Sequence, residues 1–207
     1  MSAHGLGIVA IFISLTVSAY AVNPFLDAKD DKPVSANFRG TEWNDEFVEH
    51  DIPHDIPLTA RVITTRIAKM PWGAIFKIEF TDAKSRAPEE HEIPPPRYFI
   101  VTDDRIVLLN EEDQDAAAKK ISAMEKLPEF EPNDVYGITT GSFEHQEGLW
   151  KTTINLKGNV CIYDANHPSG HFTKVVWKKG VGLVEYAQGY GAGREGFRLK
   201  RSTPKKP

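Results

Sequence analysis

The sequence predicts a mainly β protein (α+β), built as an antiparallel meander or half-barrel sheet with one amphipathic helix. Three observations predict it: strand formers alternate with polar residues in many short segments, glycine-rich turns separate these segments, and only one stretch has helical periodicity. When short strands follow one another with few helices between them, the simplest sheet is one in which consecutive strands pair with each other. Antiparallel pairing is therefore expected.

The composition is that of an ordinary globular protein and excludes some functions. The chain has 207 residues, 41% hydrophobic and 26% charged, and a net charge of -4 argues against a general nucleic-acid binder. Its one cysteine, Cys161, excludes an internal disulfide. Because the neighbours of Cys161 are apolar, we expect a small buried side chain rather than a nucleophile. No motif indicates a cofactor.

The first 21 residues predict an export signal. Residues 8–17 are largely apolar, and Ala19-Tyr20-Ala21 has the small-x-small form that signal peptidase cleaves. Cleavage would leave Val22 as the first residue, without a stable membrane span, in a periplasmic or secreted protein. Residues 1–7 contain no lysine or arginine, so a retained anchor is the alternative.

Residues 22–57 are predicted to be an extended lead-in. Within them, His50-Asp51-Ile52-Pro53 is repeated at once as residues 54–57. Pro53 would disrupt a helix that placed His50 and His54 on one face, and in an extended chain the two stand about 13 Å apart. A stiff connector is therefore favoured over a metal site.

Residues 58–201 are predicted to form the β-rich domain. Pro71-Trp72-Gly73 marks the turn of its first hairpin, and three consecutive prolines at 94–96 exclude that stretch from the interior of a sheet. The strands predicted in its first half are residues 58–68, 74–80, 98–101 and 106–109.

One helix is predicted after these strands. Asn110 is the expected N-cap, residues 111–113 are acidic where the helix dipole favours acid, and Pro128 ends the helix. Its narrow apolar face consists of Ala117, Ile121 and Met124. The connector 128–134, rich in proline and glutamate, marks a possible subdomain boundary.

Five strands in a row are predicted from about Val135 onward, before a basic tail at 202–207. They are residues 150–156, 160–163, 173–178, 183–188 and 196–201. Trp177 shares a strand face with Thr173 and Val175, which predicts a core position. The cations of the last strand predict an edge position, since they discourage edge pairing. The glycine-rich stretch 189–193 leads into a strand rather than a helix, so a turn is favoured over a phosphate-binding loop.

Residues 176–186, Val-Trp-Lys-Lys-Gly-Val-Gly-Leu-Val-Glu-Tyr, resemble the closing hairpin of many small exported bacterial β-sheet proteins, often lipoproteins, of unknown function. The resemblance covers only the C-terminal third. It implies a fold, a bacterial source and export, but no activity. No cysteine lies near the predicted cleavage site, so the chain departs from the lipoprotein pattern.

No catalytic motif is present: neither Gly-x-Ser-x-Gly, nor His-Glu-x-x-His, nor a paired-cysteine metal spacing. The best remaining candidate is His167-Pro168-Ser169-Gly170-His171, where a turn could bring two imidazoles together, with Asp164 as a third metal ligand. An exposed hairpin loop is the favoured interpretation of the same residues.

The predicted function is therefore that of an exported, non-catalytic binding protein, such as an inhibitor or immunity protein that blocks a partner enzyme. Its expected protein-binding surface is the loop after the second-last strand, because loops commonly carry binding residues. The chosen residues are Tyr186, Tyr190, Arg194 and Glu195. The alternatives are a hydrolase acting on envelope material and a carrier of a hydrophobic ligand, which would need an interior cavity.

Overall fold

A computed structural model describes residues 23–26, 32–49, 51, 53–84, 97–110 and 112–203. The predicted signal peptide and residues 204–207 lie outside the described residues. The described strands are β1 (Val34–Asn44), β2 (Asp55–Met70), β3 (Gly73–Lys84), β4 (Arg97–Val101), β5 (Arg105–Leu108), β6 (Val135–Ile138), β7 (Ser142–Glu147), β8 (Trp150–Lys157), β9 (Val160–Asn166), β10 (Phe172–Lys178), β11 (Gly182–Tyr190) and β12 (Glu195–Arg201). The helices are α1 (Asp45–Glu49) and α2 (Gln114–Ser122), with 3₁₀ turns at Pro132–Asp134 and Gly191–Gly193.

All twelve strands belong to one antiparallel sheet, which confirms the predicted fold class. Their order is β6-β5-β4-β3-β2-β1-β12-β11-β10-β9-β8-β7. Two six-strand meanders thus meet where β1 pairs with β12. The sheet curls into a nearly closed, barrel-like shape, and its end strand β6 packs against β8 and β9 instead of pairing with β7.

Strand β1 corrects the prediction for the N-terminal region. Its residues lie within the predicted lead-in, yet it is a central strand that pairs with β2 on one side and β12 on the other. Phe38 anchors it, because that ring is fully buried in the core. The predicted lead-in therefore contributes β1 and the start of β2 to the sheet, with the short helix α1 between them.

The last strand is also placed differently from the prediction. Strand β12 is paired on both sides, so it is not an edge strand. Its cations are tolerated because Glu185 on the neighbouring strand lies 3.6 Å from Arg198 Nε and 3.9 Å from Lys200 Nζ. From Val135 onward there are seven strands rather than five. The two additional strands are β6 and β7, and β7 gives little alternating signal because Phe143, which packs against the core, is its one apolar residue.

The helix α2 forms where it was predicted, and Ala117 and Ile121 of its predicted apolar face pack against the protein, but its N-cap and the position of Met124 differ. Asp113 caps it, since its carboxylate accepts a hydrogen bond from the Ala116 N–H at 2.9 Å. Ala118 is its buried residue, and Met124 lies beyond its end with an exposed side chain. The helix packs on a small second core that includes Tyr98 and Ile100.

The main core fills the inside of the curled sheet. Trp177, predicted as a core residue, is fully buried and meets Phe99 edge to face, with ring centroids 5.7 Å apart. Its indole N–H donates to the Tyr136 carbonyl at 2.9 Å. Cys161 is fully buried, and this burial raises the pKa of its thiol, which confirms a small core side chain.

Within the described parts of the chain, no helix is long and apolar enough to cross a membrane.

Candidate functional site

The inner face of β8 to β11 changes in chemistry toward one end of the sheet. Cross-strand partners form rows, because alternate residues of each strand point to the same face. The deepest of three rows is Ile154, Tyr163, Val175 and Tyr186, all buried. The next is Thr152, Ala165, Thr173 and Gln188. The interior thus becomes more polar along the strands.

The outermost row, which we call the mouth row, consists of Trp150, His167, His171 and Tyr190. Ring centroids of consecutive members are 5.2, 6.2 and 5.7 Å apart, within the usual range for interacting rings. Trp150 and Tyr190 at its two ends are 40% and 39% exposed. The row is therefore a continuous and accessible set of four rings.

Hydrogen bonds within the β9–β10 turn hold the two imidazoles. Ser169 Oγ lies 2.6 Å from His167 Nδ1 and 2.7 Å from His171 Nδ1. The Ser169 backbone N–H donates to His167 Nδ1 at 3.1 Å, so this nitrogen acts as an acceptor. The turn therefore brings the two histidines together, as the sequence suggested.

This turn is poorly suited to nucleophilic catalysis by Ser169. Acyl transfer needs backbone or side-chain donors directed at a developing oxyanion. The Ser169 N–H is directed to His167 Nδ1, and the Gly170 N–H donates to the His167 carbonyl at 2.9 Å. Both nearby donors are thus engaged within the turn.

A second loop fixes the turn from outside. The Ala192 N–H donates to the Ser169 carbonyl at 2.6 Å. Gly170 has a φ of +89°, and a Cβ placed on it would lie 2.1 Å from Ala192 Cα. Only glycine allows this approach of the two backbones, so the β9–β10 and β11–β12 loops support each other.

A cleft of about 250 Å³ adjoins the rows, between the two meanders of the sheet. Strands contribute Arg97, Tyr136, Thr173, Tyr186 and Gln188 to its lining, a loop contributes Asn110, and the 3₁₀ turn before β6 contributes Asn133 and Asp134. Two apolar residues, Phe99 and Leu108, complete it. The lining is therefore rich in hydrogen-bonding groups.

Three tyrosines and an arginine determine the electrostatics of the cleft. Tyr136 and Tyr163 stack with centroids 4.0 Å apart and share a hydrogen bond. Burial raises the pKa of Tyr136 and Tyr186 well above the ordinary value, so both phenols are neutral. Arg97 hydrogen-bonds Tyr186 and partly offsets the increase in the pKa of Tyr186. The guanidinium is thus a cation beside neutral phenols, and the Asp134 carboxylate is in the same lining.

The four residues predicted to bind a partner do not form one surface. Tyr190 lies in the mouth row, and its hydroxyl accepts a hydrogen bond from Gln188. Arg194 and Glu195 are exposed beyond the loop, and Arg194 Nε lies 3.9 Å from Asp45 Oδ2. Tyr186 is buried and reaches the cleft from inside the sheet.

The weak metal candidates are only partly brought together. His167 and His171 converge on Ser169, but Asp164 accepts a hydrogen bond from Asn166 Nδ2 at 2.7 Å instead. The described residues contain no group of three or more His, Cys, Asp or Glu side chains arranged for a metal ion. His50 lies outside the described residues, and His54 contacts two aspartates.

Sequence reasoning missed the cleft itself. Arg97, Asn110 and Asn133 come from separate segments, and each is an ordinary polar residue in its own context. A short-range motif could not identify them. No protein-family model matches the chain, and no curated protein matches it in sequence. Function is therefore inferred from the cleft and the mouth row alone.

Proposed function

We propose that this chain is a non-catalytic binding protein that holds a small polar ligand in the cleft beside the mouth row. The observation that carries the proposal is the 250 Å³ cleft, in which eight of ten lining residues have polar side-chain groups. Small-molecule sites are typically preformed concavities with a few convergent polar groups. The volume lies below the roughly 300–1,000 Å³ of sites for drug-sized ligands, which favours a smaller ligand.

A polar ligand is favoured over the hydrophobic one considered from the sequence. Behind the cleft, the remaining space between Phe80, Trp177 and Tyr186 is only about 10 Å³. This is about the volume that one water molecule requires, so an acyl chain has no room there. The Ser169 turn does not support the hydrolase alternative, because the N–H groups of Ser169 and Gly170 already donate hydrogen bonds within the turn.

A shift-mapping experiment tests this proposal. Mixtures of sugars, nucleosides, amino acids and organic acids would be added at millimolar concentration to ¹⁵N-labelled protein. We expect a compound to shift amide resonances near Thr173 and Gln188. The exposed helix position Lys120 serves as an internal reference that should not shift. If no mixture perturbs the cleft, or all shifts lie elsewhere, the proposal is wrong.

A protein partner is a second candidate function, as an inhibitor or immunity protein would require. Tyr190, Arg194 and Glu195 are exposed, and the Arg194 side chain is 77% accessible. Leu149, in the β7–β8 turn next to Trp150, is 64% exposed. Aromatic and arginine side chains often dominate protein interfaces.

Changing both Tyr190 and Arg194 to alanine tests this second candidate. We expect the double variant to keep its melting temperature and to hold a captured partner at least tenfold less tightly, since truncating one hot-spot side chain costs about 2 kcal/mol. Arg39→Ala, on the outer face of β1, is the control. Full partner affinity in the double variant would exclude this loop.

We further propose that the protein functions after export, as a periplasmic or secreted protein. The apolar residues 8–17 and the Ala19-Tyr20-Ala21 site support this proposal. Intact-mass measurement of the exported protein should give a chain that begins at Val22. A mass that includes Met1 would contradict it.

A further inference from the structure

Resting on the function proposed above, we infer that the ligand of the cleft is a small carboxylate with a planar ring. The carboxylate is bound by Arg97, and the ring lies against Tyr190 and the rest of the mouth row.

Arg97 supplies the charge that this ligand needs. It begins β4, opposite Ile78 of β3, and its partly buried side chain lines both the cleft and the small space behind it. No carboxylate of the described residues forms an ion pair with Arg97. Its hydrogen-bond partner is the neutral Tyr186 phenol.

The donor capacity of Arg97 favours a carboxylate. A guanidinium has five N–H donors in a planar fork, and within the described part of the chain one phenol oxygen occupies only a part of them. Carboxylates match this fork with two parallel, charge-assisted hydrogen bonds. In a partly buried site these bonds are stronger than at an exposed surface.

Asp134 favours a single negative charge on the ligand. Its carboxylate lines the same cleft, and its charge contributes to the raised pKa of Tyr136. For a phosphate dianion the attraction to Arg97 and the repulsion from Asp134 both double, whereas the cost of desolvating the ligand rises with the square of its charge. A monoanion therefore fits the field of this cleft better.

The ring is placed by the link between the cleft and the mouth row. Gln188 lines the cleft and donates to the Tyr190 hydroxyl, while Tyr190 meets His171 nearly perpendicularly, at 87°. An exposed aromatic row of this kind favours edge-to-face or offset contact with another ring. Gln188 lies in the row between Tyr186 and the mouth row, so a ligand that extends from Arg97 past Gln188 meets the ring of Tyr190.

Three probes that share a phenyl ring test the inference: benzoate, its neutral isostere benzamide, and phenyl phosphate. Affinities would be measured by NMR titration of the full chain at constant ionic strength. We expect wild-type protein to bind benzoate at least tenfold more tightly than benzamide, and more tightly than phenyl phosphate. Arg97→Gln should abolish the preference for benzoate, and Arg97→Lys should retain part of it, because lysine keeps the charge but not the fork.

Arg39→Gln is the matched control, since it makes the same substitution on an exposed residue of β1 and should keep the preference. Equal affinities of wild type for benzoate and benzamide would overturn the inference without any variant, as would a preference that survives Arg97→Gln in a folded protein. Tighter binding of phenyl phosphate would overturn the assignment of a single charge. If a sugar or nucleoside shifts the cleft resonances while benzoate does not, the inference fails and the proposed function stands.

Discussion

Replacing Trp177 with alanine should destabilise the whole sheet, because this side chain connects the end strand β6 to the opposite meander. Trp177 belongs to β10, whereas its hydrogen-bond acceptor Tyr136 belongs to the end strand β6. The indole is fully buried, meets Phe99 edge to face, and lies close to Gly137, where a Cβ would be 3.3 Å from it. The mutation therefore removes both core packing and the closing hydrogen bond.

The expected cost is about 5 kcal/mol of unfolding free energy. Truncating a buried aromatic residue to alanine costs about 3–5 kcal/mol, and a buried carbonyl left without a donor adds about 1 kcal/mol. Since about 1 kcal/mol shifts the melting temperature by 2–4 °C in a chain of this size, the expected decrease is about 10–20 °C. Trp177→Phe keeps most of the ring but not the N–H, so it should cost about 2 kcal/mol.

Urea unfolding followed by far-ultraviolet circular dichroism would measure these differences without depending on tryptophan fluorescence. Trp150→Ala is the control, because that ring is partly exposed and its loss should cost less than about 1 kcal/mol. A Trp177→Ala protein as stable as the Trp150→Ala protein would refute the role of Trp177 as the contact that closes the sheet.

Two further predictions concern the loops and the tyrosines. Gly170→Ala should cost more than about 2 kcal/mol, because its Cβ would overlap Ala192, whereas Gly158→Ala, with a similar positive φ but open space, should cost about 1 kcal/mol; equal losses in thermal unfolding would disprove the backbone contact. Stability should fall as the pH rises above about 10, the ordinary tyrosine pKa, because Tyr136 and Tyr186 keep their protons in the folded state while the unfolded chain loses them. Below that pH their contribution is complete, and Tyr136→Phe should flatten the decline in urea titrations; an unchanged slope would contradict it.

The local alternation of apolar and polar residues was sufficient to predict most strands and the core residues on them. The alternation around Thr173, Val175 and Trp177 identified a buried face, because side chains alternate between the two faces of every strand. It failed for β1 and β7. In β1 the alternation of Val34, Ala36 and Phe38 with polar residues is short and ends at Gly40, and β7 has Phe143 as its one apolar residue, so both signals are weak. Their positions depend on the strands that they pair with.

The candidate site was predictable only in part. His167 and His171 were identified because they flank a short turn, and the turn does bring them together. Tyr186 was chosen as a loop residue, but its place in the strand directs it into the core. Arg97 had no local signal, since it comes near Tyr186 only through the curvature of the sheet.

The sequence by itself determined the antiparallel β class, the turns with obligatory glycine and the burial of Trp177 and Cys161, because these properties depend on neighbouring residues. Only the tertiary structure decided that β12 returns to pair with β1 and that β6 packs across β8 and β9. The cleft lies where residues of β4 to β6 face residues of β10 and β11. This arrangement depends on twist, register and packing among residues far apart in the chain, which no short pattern encodes.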